Sequence, residues 1–267
     1  MDLETVEYEV QDSVATVRLD RPDKLNAIDA QMRSDLDQVV EEIAVDDDVR
    51  AAMITGNGKA FSSGADHGLL QEMEDNSTPR FRWEYRRLHR VFDNIAQVEK
   101  PIVGAINGIC VGGGLELALY TDMMVASERA LFGFPEDNIG LIPASGACVR
   151  LAEEVGTFRA KELIMYATRK ENMVSAEEAM NRFGFVNRVF DDDTFEEDAR
   201  AFVGELAERS PLAMGLAKKV INHGQDMDFV TGRKFERTAQ SVLIGSEDHQ
   251  EGLAAFREKR DPEFEGR

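Results

Sequence analysis

The sequence predicts an α/β fold that passes into an all-helical C-terminal region. Two observations carry this. Apolar runs of strand length at 51–55 and 102–106 alternate with segments whose apolar positions follow helical spacing, the pattern of strands and helices in layers. From about residue 194 the strand signals fade, and helical spacing alone continues through 195–206, 212–221 and 235–243. The chain divides accordingly into residues 1–192 and 193–267, with Asp191, Asp192 and Asp193 at the junction. The same aspartates also read as a solvated turn that supplies a helix N-cap.

The elements follow in order. Residues 5–19 alternate apolar and polar positions around a break at Gln11 and Asp12, a hairpin signal. Arg21, Pro22 and Asp23 start a turn. Asp29 is placed to cap a helix carrying Met32, Leu36, Val39, Val40 and Ile43 on one face. The run 51–55 is a short buried strand, and 56–68 is a loop of small residues. Helical periodicity returns at 80–98 through Phe81, Tyr85, Leu88, Phe92 and Ile95. Pro101 ends it, and 102–106 is a second buried strand.

Composition narrows the function. Net charge is −20, from 51 acidic and 31 basic residues, which gives no support to nucleic-acid binding because phosphates would be repelled. No apolar run approaches the roughly 18 residues of a membrane span. The acidic N-terminus lacks the basic and apolar regions of a signal peptide, so a cytoplasmic protein is expected. The basic residues are 9 Lys and 22 Arg. Many carboxylates with little lysine suggest adaptation to high salt, where self-repulsion is screened; an acidic protein from a GC-rich genome is the alternative. Cys110 and Cys148 stand far apart, neither a disulfide framework nor a metal motif, and are expected reduced and buried. His67, His89, His223 and His249 lack ligand spacing, so no metal site is expected.

The chemistry concentrates in the segment from Asn107 to Asp122, where a strand runs into Gly112, Gly113 and Gly114 and then a helix. The first N–H groups of a helix lack internal partners and carry partial positive charge. Such a start can hold an anion; three glycines also serve a tight turn or close packing. A second donor-bearing loop, Gly56 to Asp66, likewise follows a buried strand. Two such loops can converge on one oxygen, the construction of an oxyanion hole. Neither loop is a phosphate-binding GxxxxGK[ST], and no GxGxxG follows the first strand. Glu116 lies three residues after Gly113 and either faces those donors or simply stabilises the helix dipole. Glu136 follows Pro135 among apolar residues. It is either a carboxyl poised by desolvation or a helix-start Glu after an N1 proline.

In company these pieces resemble the enoyl-CoA hydratase/isomerase, or crotonase, superfamily over nearly the whole chain. Arg21-Pro-Asp-Lys-Leu-Asn-Ala-Ile28 is similar to its R-P-x-x-x-N-A element, and Phe61-Ser-Ser-Gly-Ala-Asp66 to its F-x-x-G-x-D loop. The stretch from Ile106 to Asp122, with Ala105 and Asn107 near its start, resembles the A-x-x-G-x-x-x-G-G-G-x-E-L-x-x-x-x-D signature. Phe132 to Glu136 and Gly140 to Gly146 resemble the segment of the second carboxylate, and Phe256 to Phe264 the common tail.

The resemblance implies a spiral of ββα units followed by a helical trimerisation region, and a homotrimer or dimer of trimers. It implies a coenzyme A thioester as substrate, with no further cofactor and no metal. By position, Glu116 and Glu136 would be the catalytic pair, and the N–H groups of Ala65 and Gly113 the oxyanion hole. Lys24, Leu25, Ala27, Ser63, Gly64, Asp66, Gly112, Pro135 and Lys259 would contact substrate or coenzyme, Lys259 from a neighbouring subunit. Tyr85, Trp83, Leu88 and Phe92 would line an acyl pocket, unless they only fill a core. Two glutamates imply reversible hydration of a trans-2-enoyl-CoA. The alternatives are a double-bond isomerase on the same scaffold and a non-catalytic binding protein. Two departures, Ala144-Ser-Gly-Ala-Cys148 in place of a Gly-Gly step and His67-Gly68 after the loop, bear on substrate choice.

Overall fold

β1 (Val6–Gln11) and β2 (Val14–Leu19) form an antiparallel hairpin. Asp12 and Ser13 turn it with φ +52° and +60°, the left-handed geometry that matches strand twist in two-residue hairpin loops. The computed structural model describes residues 1–74 and 77–267, without the side chains of residues 70, 72–74 and 88. α1 (Ala30–Val45) starts where the sequence places it. The Asp29 carboxylate accepts the Met32 N–H at 2.8 Å, and the five expected apolar residues are buried. Asp35 is buried on the same face, which periodicity does not reveal. It accepts the N–H and hydroxyl of Thr5 at 2.8 and 2.7 Å, tying the helix to the N-terminus.

β3 (Ala51–Gly56), β5 (Ile102–Ile106), β7 (Met123–Ser127) and β10 (Arg188–Phe190) add to β2 in parallel, giving the order β1-β2-β3-β5-β7-β10. After β3, β5 and β7 the chain turns into a second sheet. Its strands are β4 (Ala60–Ser62), β6 (Ile109–Val111) and β8 (Leu131–Gly133), with β9 (Val174–Ser175) antiparallel at one edge. Helices follow the first two of these strand pairs: α2 (His67–Glu74) and α3 (Thr78–Gln97), then α4 (Gly113–Ala118). This is the ββα spiral that the resemblance implied.

Alternation along the strands separates two cores. Ala52 and Ile54 face the main core, shared with α1, α3 and the second sheet. Ala51 and Met53 face the opposite side, where α8 (Phe195–Ala207) buries Phe195, Ala199, Val203 and Ala207. The first helix beyond residue 192 is therefore the outer cover of the six-stranded sheet. Thr194, not an aspartate, precedes it, and its side chain makes no capping bond. Asp192 instead accepts the Ser127 hydroxyl at 2.6 Å and pairs with Arg129 at 2.9 Å. α9 (Pro211–Gly224), α10 (Phe229–Leu243) and α11 (Glu247–Glu258) follow, and α11 carries helix beyond the last periodic run read from sequence.

α5 (Ala147–Val155) and α6 (Thr157–Met165) lie between β8 and β9 in sequence, and the short α7 (Ala176–Glu178) follows β9. α5 corrects one expectation. Cys110 is buried, but Cys148 is exposed. The helix buries Ala147, Leu151 and Val155, and the next residue after Ala147 is rotated about 100° away from that face.

Candidate active site

Two backbone turns build the site. Asn107, at the β5–β6 turn, sends its amide to the Gly56 and Gly58 carbonyls at 2.7 and 3.1 Å, and its oxygen accepts the Gly56 N–H at 3.2 Å. The two strand-to-strand turns are thereby locked together. The loop after β4 is stapled to the preceding Lys24–Ile28 segment. Ser63 N–H donates to the Leu25 carbonyl at 2.9 Å, Ile28 N–H to Gly64 at 2.8 Å, and Asp66 N–H to Ile28 at 2.9 Å. Ala65 faces Ile28 in a parallel bridge.

The loop at 64–65 packs directly on the start of α4. A Cβ on Gly64 would lie 3.0 Å from the Gly113 nitrogen, and one on Gly113 would lie 3.5 Å from the Ala65 nitrogen. Among the described residues, neither the Ala65 nor the Gly113 N–H has a backbone partner. Gly113 opens α4, so its N–H is one of the helix orphans. Both residues line a cavity of about 360 Å³.

Glu116 and Glu136 line the same cavity. Glu116 is buried, with 3% of its surface exposed. Its Oε1 accepts the Ser145 N–H at 2.6 Å and the Ala147 N–H at 3.4 Å. Its anchor is thus the start of α5 rather than the start of its own helix. Burial pushes its carboxyl up to about 7 against those hydrogen bonds. Glu136 sits in a 3₁₀ turn, Pro135–Ile139, with proline at its first position. Its Oε2 is buried without a partner among the described residues. Burial pushes this carboxyl up to about 7 as well, helped by the negative charge of Glu116. Gly112 makes room for it. The residue has φ +54°, and a Cβ there would lie 2.7 Å from Glu136 Oε1.

The cavity brings together Ser63, Gly64, Ala65, Gly112, Gly113, Glu116, Pro135 and Glu136. Lys24, Leu25, Ala27 and Asp66 do not line it. Lys24 is exposed, and Leu25, with φ +52°, supports Ser63 through its carbonyl. Arg21 bonds the Ala27 carbonyl at 2.6 Å and Asp66 at 3.2 Å. The Gly68 N–H and this guanidinium hold the Asp66 carboxyl below its ordinary value. Lys259, exposed at the end of α11 with φ +56°, is not part of the cavity wall.

Tyr85 and Phe92 of α3 line the cavity. Trp83, 65% exposed, lies instead in a surface groove with Arg33, Arg86 and Arg90; the Leu88 side chain lies outside the described residues. Sequence reasoning missed Ile28, Leu69, Leu141 and Ser145 as cavity residues. Ser145 had a visible signal. It lies in the small-residue run Pro143-Ala-Ser-Gly146 before a helix, and Gly146 takes φ +111° there. What spacing could not show is that this helix start points at a carboxylate 29 residues earlier.

Two N–H groups without a backbone partner among the described residues, beside two neutralisable carboxyls, can polarise a carbonyl and exchange protons with the carbons next to it. The comparisons agree with that chemistry. Residues 9–267 match the family model described as enoyl-CoA hydratase/isomerase. The chain is 35% identical to a short-chain-enoyl-CoA hydratase of Clostridium acetobutylicum, over 97% of each chain. It is 33% identical to the 2,3-dehydroadipyl-CoA hydratase of Escherichia coli, over 96% of this chain and 97% of the other. Among solved structures, an enoyl-CoA hydratase from Bacillus anthracis superposes with TM-score 0.90 at 32% identity, covering 99% of this chain and 100% of the other.

Proposed function

Because the chain belongs to the enoyl-CoA hydratase/isomerase family, we propose that it is an enoyl-CoA hydratase, adding water reversibly to a trans-2-enoyl-CoA to give the 3-hydroxyacyl-CoA. One observation carries the reading: Glu116 and Glu136, both raised to about 7, face one cavity beside the Ala65 and Gly113 N–H groups.

The thioester oxygen accepts from the two N–H groups, which makes C3 electrophilic. Water adds its oxygen to C3 while ionised Glu116 takes its proton. The electron pair of the C2–C3 bond moves into an enolate whose charge rests on the thioester oxygen. Protonated Glu136 then delivers a proton to C2. One carboxyl must start ionised and the other neutral, and two groups near 7 that disfavour each other's charge meet that need around neutral pH. A hole donor of this kind is worth roughly 3–4 kcal/mol in the transition state. The step calls for no metal or second cofactor.

The assembly we favour is a homotrimer or a dimer of trimers. The C-terminal helices present Ile221, Phe229, Val242 and Phe256 to solvent in the single chain, apolar surface of the kind that subunit contact covers. The free, exposed Cys148 fits a reducing cytoplasmic setting, and the charge of −20 fits high salt. Incubation with crotonyl-CoA tests the reaction. Loss of enoyl-thioester absorbance with formation of 3-hydroxybutyryl-CoA is expected. Turnover only of a 3-enoyl-CoA would make the protein an isomerase.

A further inference from the structure

The cavity wall contains a polar pair that the hydration mechanism leaves unused. Ser145 Oγ donates to the Tyr85 hydroxyl at 3.2 Å, and both residues line the cavity. Their neighbours there include Leu69, Phe92, Leu141 and Pro143. The bond between the two hydroxyls uses one of their two protons, and the other is left to face a ligand or Glu116, which the Ser145 side chain also reaches. The ring is held in place. Phe81 stacks on it at 5.1 Å, His89 meets it edge-on at 5.1 Å, and His89 Nε2 lies 3.0 Å from the Ala144 carbonyl. A fixed donor in an apolar cavity favours a ligand that supplies an acceptor and penalises one that does not.

The position of the pair locates that acceptor. Ser145 touches Glu116 through its own N–H, so its hydroxyl lies within one residue of the carboxylate assigned to C3. A substituent leaving C3 past Glu116 meets Tyr85 and Ser145 within a few bonds. Resting on the hydratase reading, we propose that Tyr85 and Ser145 form a specificity subsite for 2-enoyl-CoA substrates whose acyl chain bears an uncharged oxygen, a hydroxyl or carbonyl, a short distance beyond C3. A carboxylate is disfavoured there. Glu116 and Glu136 already oppose negative charge at this place, and with burial they hold the Tyr85 phenol above its ordinary value.

The test compares kcat/KM for paired substrates: 4-hydroxybut-2-enoyl-CoA against but-2-enoyl-CoA, and 5-hydroxypent-2-enoyl-CoA against pent-2-enoyl-CoA. The readout is the ratio of each hydroxylated substrate to its alkyl parent. The native protein should favour at least one hydroxylated member by about tenfold, the value of one hydrogen bond without competition from water. Tyr85→Phe should bring that ratio close to one. Ser145→Ala keeps the N–H on Glu116 but removes the hydroxyl and its side-chain bond to that carboxylate; because the readout is a ratio of two substrates on one variant, it should still lower that ratio in the same direction, and it stands in if the first variant does not fold. Native ratios near one, or ratios unchanged in both variants, overturn the subsite while hydration of the alkyl parents keeps the hydratase reading. Failure of the native protein to hydrate any of the four overturns that reading and the subsite with it.

Discussion

The Ser145 N–H donates to Glu116 Oε1 across 2.6 Å, joining the start of α5 to a carboxylate on α4. In the proposed mechanism this bond leaves the second oxygen of Glu116 to act on water. It also opposes the effect of burial on the carboxyl. A base has to be fixed in orientation and ionised before it can take a proton, and in the proposed mechanism the bond serves both needs.

The pair predicts a bell-shaped pH profile. Both carboxyls are raised to about 7 from an ordinary 4.5 by burial. Activity that needs one ionised and one neutral member should peak near neutrality and fall on both sides. The profile of kcat/KM for crotonyl-CoA checks this. A plateau continuing from pH 7 to 10 would be inconsistent with Glu136 acting as the acid.

The same shifts set a stability trend of known sign. Between about 4.5 and 7 the folded protein holds more protons on these groups than the unfolded chain does. Their contribution to stability is therefore full at low pH and is lost as pH rises through that window. Glu136→Gln removes a charge whose Oε2 lacks a partner among the described residues. The variant should be more stable than the native protein above pH 7, by roughly 1–3 kcal/mol, with the advantage gone near pH 4. Thermal melts at the two pH values read the difference.

Gly112→Ala should injure catalysis more than folding. The new Cβ would fall 2.7 Å from Glu136 Oε1 at a φ of +54°. Displacing the carboxyl should lower kcat by at least roughly tenfold, in line with the value of a positioned acid or base. Gly184→Ala, at φ +84° with nothing within 4 Å, carries the backbone cost without the clash. It should lose about 1 kcal/mol and leave kcat unchanged.

Lys218 of α9 anchors the C-terminal helices. Its ammonium lies 2.9 Å from Asp122 and donates to the Ile95 and Lys100 carbonyls at 3.1 and 3.2 Å. Lys218→Met leaves the Asp122 carboxylate, among the described residues, with the Ile102 N–H as its hydrogen-bond donor and the charge of Arg150 nearby. The cost should be about 3–5 kcal/mol, and adding Asp122→Asn should recover part of it. Urea melts of the two variants settle the order.

Much of this architecture was readable. Hairpin, α1, β3, β5 and three of the C-terminal helices follow from periodicity and caps, because each buries a regular face. That the Gly112–Glu116 segment lines the cavity was readable from its glycines and from the likeness to a known family. Three features were not. Cys148 lies outward because its helix turns it away from Ala147 and Leu151. Asp35 hides on an apolar face because Thr5, 30 residues earlier, supplies its donors. Ser145 matters through a tertiary bond to Glu116 that no local spacing encodes. Contacts made across the chain decide such positions, and a pattern read along it cannot.

The acidic surface predicts a response to salt. With a net charge of −20, screening should relieve self-repulsion. The melting temperature should rise steadily with KCl up to molar concentrations. Full stability in dilute buffer would remove the case for adaptation to high salt.

The central claim is that two carboxyls divide the proton transfers. Crotonyl-CoA hydration by Glu116→Gln, Glu136→Gln and the double variant tests it most directly, with substrate binding and melting temperature measured alongside. Each single change should lower kcat by about 10²–10⁴-fold with folding and binding kept. The double variant should fall little further, because the two groups act in one step. Substantial turnover in both single variants would contradict the account.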